Sequence, residues 1–178
     1  QLRDPFFIFY DSRSGSTFLA NTLTKHARLA MPPETNFITK LIDNYKKREI
    51  ASESDLQKAI DITLSDKKFS DWGISGEEIM DELKGILPMD LAYFIKAVLE
   101  IYRLKYVPQA DYVGIKKNYI FYFPKLKKLF PDIKVVVLIR DGRAVFNSKK
   151  NSIYSVTGKP FETDPVKAAR VWLDEVKK

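Results

Sequence analysis

Pro5-Phe6-Phe7-Ile8-Phe9-Tyr10-Asp11-Ser12-Arg13-Ser14-Gly15-Ser16-Thr17-Phe18-Leu19 decides the fold class of this chain. Its opening residues, Pro5 to Tyr10, form an apolar and aromatic run of strand length, which predicts a buried first strand. Asp11 to Gly15 is polar turn chemistry, and from Ser16 the apolar positions Phe18, Leu19 and Leu23 fall at helical spacing. Strand, tight polar loop and helix therefore follow one another directly. The order matters chemically, because unpaired N–H groups at a helix N-terminus carry the positive end of the dipole and attract phosphate or sulfate. A nucleotide P-loop needs a Gly, four residues and then Gly-Lys-Ser/Thr; here the first Gly and the Lys after Gly15 are both missing, and the cation is Arg13, ahead of the glycine. On the motif alone, an anion site and a helix N-cap beside a surface arginine are equal alternatives.

A second unit of the same kind lies toward the C-terminus. Lys134 to Ile139 is apolar throughout after its lysine, the pattern of a central parallel strand covered on both faces. It runs through Arg140 and Asp141-Gly142-Arg143 into a helix bearing Ala144, Val145 and Ser148. An arginine at the C-terminal edge of a parallel strand points into the crevice where open α/β sheets bind ligands, and its planar fork suits a phosphate. Ser148 can add a hydroxyl donor. The competing account pairs Arg140 with Asp141, and Arg143 reads as a solvated helix residue.

Between the two units, Leu29-Ala30-Met31 predicts a short strand that meets Pro32-Pro33 and ends at Glu34. Residues 36–106 read as helical: Phe37, Ile38, Leu41 and Ile42 share a face, as do Leu56, Ile60 and Leu64. Ser75-Gly76-Glu77-Glu78 is a capping box before Ile79 and Leu83, and Pro88 opens an amphipathic stretch to Leu104. Tyr112 to Ile115 predicts a strand, and Tyr119 to Leu129 a helix stopped by Pro131, with its aromatic residues used for packing. Thr163-Asp164-Pro165 caps a final helix running to Lys178. The expected architecture is a single domain over residues 1–178, three-layer α/β/α with a central parallel sheet and a helical insertion over 36–106.

Composition narrows the function classes. A chain of 178 residues with 45% hydrophobic and 13% aromatic content holds one sizeable core and is not a disordered tail. Thirty Lys and Arg against 23 Asp and Glu leave a net charge of +7 and a surface that attracts anions. The absence of cysteine excludes a disulfide framework, a thiol nucleophile and a Cys-based metal site, and a single His26 argues against a histidine-rich one, so no metal is expected. The apolar stretches are far shorter than a membrane span and no signal segment opens the chain, which predicts a soluble, cytoplasmic protein. Lys125, Lys127 and Lys128 read as a solvated face; no nucleic-acid motif accompanies them, and no nucleic-acid partner is expected.

Arg13-Ser14-Gly15-Ser16-Thr17 after a first strand, together with Arg140 to Ser148 after a later one, resembles the sulfotransferase family that uses 3′-phosphoadenosine 5′-phosphosulfate (PAPS). Lys125 to Asp132 and Ala168-Ala169-Arg170-Val171-Trp172 are similar to that family as well. The resemblance is good at both ends of the chain and thin from about Ile42 to Asp111. It implies a P-loop NTPase-like sulfotransferase fold, with PAPS as co-substrate and 3′-phosphoadenosine 5′-phosphate (PAP) as product. It further implies that Arg13, Ser14, Gly15, Ser16 and Thr17 cradle the 5′-phosphosulfate, that Arg140 and Ser148 take the 3′-phosphate, and that Glu34, Arg13 and Lys116 carry the chemistry. The acceptor would be a hydroxyl, or an amine, on a small molecule or glycan.

Sulfuryl transfer requires a carboxylate or other base to take the acceptor's proton and cations to neutralise charge on the bridging oxygen. Glu34 is the implied base; its plainer reading is a carboxylate favoured by the dipole of the following helix. Lys116-Lys117-Asn118-Tyr119 departs from the family's Lys-Thr-Pro, which leaves either lysine as the one that reaches the site. A histidine is the base in the small-molecule branch, which makes His26 the alternative candidate, but its place near the end of the first helix suggests a capping role. The family usually continues beyond the last helix here, so a C-terminal part is expected to be missing. The alternatives are an ATP-dependent kinase of related fold and a non-catalytic basic anion-binding module.

Overall fold

A four-stranded parallel sheet forms around the aromatic run Phe6–Tyr10. The computed structural model describes residues 2–47, 49–154 and 157–177. Strand β1 (Phe6–Tyr10) leads through the polar loop to helix α1 (Ser16–Leu23), then to β2 (Leu29–Ala30). The helical segment follows: α2 (Phe37–Asn44), β3 (Glu49–Ile50), α3 (Glu53–Leu64), a 3₁₀ turn over Lys67–Trp72, α4 (Gly76–Leu83), β4 (Met89–Asp90) and α5 (Leu91–Tyr106). The chain returns to the sheet as β5 (Tyr112–Lys116), α6 (Phe123–Leu129), β6 (Lys134–Leu138) and α7 (Gly142–Lys150). A hairpin of β7 (Ile153–Tyr154) and β8 (Lys159–Pro160) precedes α8 (Pro165–Val176).

The sheet order is β2-β5-β1-β6 with every pairing parallel, and Phe6 to Tyr10 of β1 stand opposite Lys134 to Leu138 of β6. Alternation along β1 sends Phe7 and Phe9 to one face and Ile8 and Tyr10 to the other. Phe7 and Phe9 meet Tyr119, Phe123 and Phe130, while Ile8 and Tyr10 pack with Met31 and with Leu19 and Leu23 of α1. A central strand buried on both faces needs large apolar side chains on both, which is why this run carries no polar residue. β5 lies so close to Phe6 and Met31 that a Cβ at Gly114 would stand 2.2 Å from the Phe6 ring. A larger residue there would force the Phe6 and Met31 side chains to shift.

Capping follows the expected chemistry at Asp164 and in part at Ser75, where Glu78 gives its carboxylate to Lys105 instead of completing the capping box. Ser75 accepts from the Glu78 N–H at the start of α4, and Asp164 accepts from Val166 and Lys167 ahead of Pro165 at the start of α8. Several features differ from the sequence expectation: residues 36–106, expected to be helical, also hold the antiparallel β3–β4 pair, and the second strand, expected to end at Glu34, stops at Ala30. The strand expected to be central, Lys134 to Ile139, pairs only with β1 among the described residues; Val136, Val137 and Ile139 are about half exposed. Val136 and Val137 point to opposite faces, so neither face of this strand is fully covered among the described residues; an apolar run tells neither what lies over a strand nor what lies beside it. The helix expected from Tyr119 opens as a 3₁₀ turn over Ile120–Tyr122 and becomes α-helical at Phe123, beside Pro124. The last helix ends at Val176, and Lys178, to which it was expected to run, lies outside the described residues.

The segment between β2 and β5 has its own core. Phe69 stacks on Trp72 at 5.2 Å, Phe37 meets Trp72 edge-on at 5.4 Å, and Phe94 and Ile95 of α5 are fully buried. That core is continuous with Phe7 and Phe9 of the sheet. No described helix is long and apolar enough to cross a membrane.

Candidate active site

The loop after β1 is curled by its backbone. Arg13 has φ 71° and Gly15 φ 95°, and Ser14 between them donates both its N–H, at 3.2 Å, and its hydroxyl to the Asp11 carbonyl. Left-handed residues alternating with ordinary ones form anion-binding concavities, and for a non-glycine such as Arg13 that conformation costs about 1–3 kcal/mol. Gly15 is the N-cap of α1 and offers no side chain to its orphan N–H groups; no acidic residue stands in the first turn. A Cβ placed on Gly15 would meet nothing within 4 Å. The positive end of α1 thus carries no side-chain cap and no acidic neighbour in its first turn, the setting that favours an anion.

The second arginine-bearing turn closes on this loop. Arg13 Nε donates to Ser148 Oγ at 3.0 Å, and Arg140 donates from Nη1 to the Arg13 carbonyl at 3.0 Å. The Arg13 guanidinium also lies 5.8 Å from the centre of the Phe161 ring. Trp172 of α8 donates from its indole to the Arg140 carbonyl at 3.0 Å. Arg140 and Asp141 do not pair: Asp141 caps α7 and binds Arg143, whose side chain is 94% exposed. Hydrogen bonds from the Arg143 side chain and backbone hold the Asp141 carboxyl down to about 2. Arg140 is thereby left to face the loop.

Glu34 is held from both sides. The Trp72 indole donates to the Pro33 carbonyl at 2.9 Å, and Asp66 accepts from the Asn36 backbone N–H and, at 3.1 Å, from its amide. Burial alone would raise the Asp66 carboxyl, but these bonds and the Lys68 N–H outweigh it and hold it below its ordinary value. Asn36 is the N-cap residue of α2, so Glu34 stands outside the helix, and its carboxylate is engaged by Tyr10, Lys116 and Lys68. Glu34 Oε2 accepts from the Tyr10 hydroxyl at 2.8 Å and lies 3.4 Å from Lys116 Nζ, while Oε1 lies 3.9 Å from Lys68 Nζ. Lys116 Nζ also reaches Thr17 Oγ1 of the loop helix at 3.4 Å. Burial, then the Glu34 charge, push the Tyr10 hydroxyl well above the ordinary tyrosine range, so it remains a proton donor.

Lys116 is therefore the lysine between Glu34 and the loop; Lys117 turns to Asn36 Oδ1, and burial lowers its ammonium despite the pull of Glu34. His26 sits in the turn beyond the far end of α1, where its Nδ1 accepts from the Arg28 N–H at 3.2 Å. It is remote from the α1 N-terminus and serves the turn. The structure brings Arg13, Ser14, Gly15, Ser16, Thr17, Lys116, Arg140, Ser148 and Glu34 to the C-terminal ends of β1, β5 and β6, the edge at which parallel sheets bind ligands.

Sequence reasoning missed Tyr10, Lys68 and Asp66, and a buried pair in which Lys149 Nζ meets both Asp11 carboxylate oxygens at 3.0 and 3.1 Å. Asp11 and Lys149 do flank the motif residues, but a charge beside a motif carries no signal of what it pairs with.

Comparison with curated proteins gives no match. The sulfotransferase family model matches residues 5–178, a span that contains both arginine-bearing turns and the glutamate between them. With the parallel sheet and its open helix N-terminus in the same span, the chain belongs to the sulfotransferase family.

Proposed function

We propose that the chain is the catalytic domain of a PAPS-dependent sulfotransferase acting on a hydroxyl, or an amine, of a small molecule or glycan. One observation carries this reading: the Lys116 ammonium stands between Thr17 of the anion loop and the Glu34 carboxylate, 3.4 Å from each. A base and an anion cradle on either side of one cation is what sulfuryl transfer demands. The residues fit the donor: the open helix N-terminus at Gly15 suits its 5′ end, and the guanidinium of Arg140 with the hydroxyl of Ser148 suits its 3′-phosphate.

PAPS supplies an activated sulfuryl group. Glu34 takes the proton of the acceptor as the acceptor oxygen bonds to sulfur. Lys116 and Arg13 neutralise the oxygen that keeps the electron pair of the breaking sulfur–oxygen bond, so that PAP leaves as the anion. Tyr10 holds Glu34 toward Lys116 through its hydroxyl. The kinase alternative is disfavoured by the missing Lys after Gly15, since that lysine reaches the β- and γ-phosphates of a bound nucleotide.

Isothermal titration with PAP, ATP and a sulfated glycan tests the reading. PAP binding well ahead of ATP is expected. Preference for ATP overturns it in favour of a kinase, and binding of the glycan alone overturns it in favour of an anion-binding module.

A further inference from the structure

The two halves of the anion cleft lie far apart in the chain, and their visible surface contacts are weak. Arg13 Nε to Ser148 Oγ joins residues 135 positions apart through an exposed, flexible side chain. Directly beneath, Lys149 and Asp11 make a two-pronged ion pair in which both side chains are only 8% exposed. Lys149 follows Ser148, and Asp11 precedes Arg13 by two residues. Asp11 shapes the loop as well, because its carbonyl accepts both donors of Ser14. One residue thus sets the curl of the loop through its backbone and the distance to α7 through its side chain.

A third element touches the pair. Glu175 of α8 accepts from the Asn118 amide at Oε1 at 3.1 Å, while its buried Oε2 finds no donor beside Asp11. Burial, and then the neighbouring Asp11 carboxylate, raise the Glu175 carboxyl to about 7. Lys149 pairs directly with Asp11, and its charge also draws the Glu175 carboxyl down against the larger effect of burial. Burying a charged pair costs desolvation that well-packed apolar side chains avoid, so such a pair is a weak source of stability; in some proteins it serves instead to fix one geometry.

We propose that the buried Asp11–Lys149 pair is a positioning brace, setting the loop after β1 against α7 so that Arg13 and Ser148 address the two ends of one 3′,5′-bisphosphorylated nucleotide. The proposal rests on the PAPS reading of the cleft. In this reading neither residue is assigned a contact with the nucleotide, although Asp11 borders the cavity that Ser14 and Arg140 line. Their effect is confined to the register between a 5′ site on the loop and a 3′ site on β6 and α7.

The test is the ratio of PAP to AMP affinity, measured by titration calorimetry on the same protein sample, because the fraction of folded chain cancels in that ratio. The double variant Asp11→Asn/Lys149→Met removes both charges at similar volume. It is expected to keep AMP affinity within about threefold while the ratio falls at least tenfold. Lys149→Gln, which keeps a donor to Asp11, is the second variant for the event that the first does not melt cooperatively; a loss of at least threefold in the ratio is expected. An unchanged ratio in a folded double variant, or in Lys149→Gln, overturns the brace while leaving the nucleotide reading intact. A wild-type chain that does not prefer PAP over AMP overturns the nucleotide reading, and the brace with it.

Discussion

At the residue scale, Glu34 and Arg140 carry separable roles. Glu34 sees Tyr10, Lys116 and Lys68, and among the described residues none of its hydrogen bonds or ion pairs reaches the loop after β1. Glu34→Gln keeps the shape and loses the proton acceptor, so steady-state turnover should drop about 100-fold or more while PAP affinity by calorimetry stays unchanged. Full activity in this variant sinks Glu34 as the base. Arg140 reaches the Arg13 carbonyl and has no carboxylate partner among the described residues, which is why the proposal gives its charge to the 3′-phosphate. Arg140→Ala should weaken PAP by about tenfold to a hundredfold and AMP far less, with a smaller loss for Ser148→Ala. Equal losses for both nucleotides would place the 3′-phosphate elsewhere.

At the scale of elements, α8 is held to the sheet by Trp172 on the Arg140 carbonyl and by Glu175 beside Asp11 and Asn118. The raised Glu175 carboxyl makes this contact sensitive to pH. A folded-state value of about 7 against an ordinary 4.5 means that the native chain holds a proton the unfolded chain has lost between those two values. Stability contributed by this group is therefore greatest below pH 4.5, declines as pH rises to about 7, and is gone above it. Because the carboxyl is partly exposed and screened by water, the effect is about 1 kcal/mol, or roughly 2–4 °C in Tm. Glu175→Gln should match the wild type near pH 4 and melt higher at pH 8; a variant that melts lower at pH 8 refutes the sign.

At the scale of the molecule, the helical segment between β2 and β5 is coupled to the chemistry through Trp72. Its ring, 1% exposed, packs with Phe37, Phe69 and Tyr102, while its N–H fixes the Pro33 carbonyl next to Glu34. Trp72→Ala removes a large buried side chain and should cost about 3–5 kcal/mol by denaturant unfolding. Trp72→Phe keeps most of the packing and loses the tether, at about 1 kcal/mol. Its turnover should fall more than its stability loss accounts for, with PAP affinity unchanged. Turnover equal to the wild type in a folded Trp72→Phe would show that the segment supports the sheet without orienting Glu34.

What the amino-acid sequence determined by itself is local. The run Phe6 to Tyr10 had to be a doubly buried strand because its residues are apolar on both faces of the pleat, and Arg13 to Thr17 had to be a turn into a helix because of its polar residues and its glycine. The helix caps at Ser75 and Asp164 were legible for the same reason: a cap bond spans two or three residues. Glu34, Arg13 and Arg140 could be singled out because each flanks a short recognisable stretch. Tertiary structure decided what those stretches face. It put the apolar run Lys134 to Leu138 at the edge of the sheet, chose Lys116 over Lys117, turned Asp141 to Arg143 and away from Arg140, and paired Asp11 with Lys149 across 138 positions. Periodicity and turn chemistry act over a few residues, whereas the partner of a buried charge is set by which strands lie side by side, and no spacing within either segment encodes that.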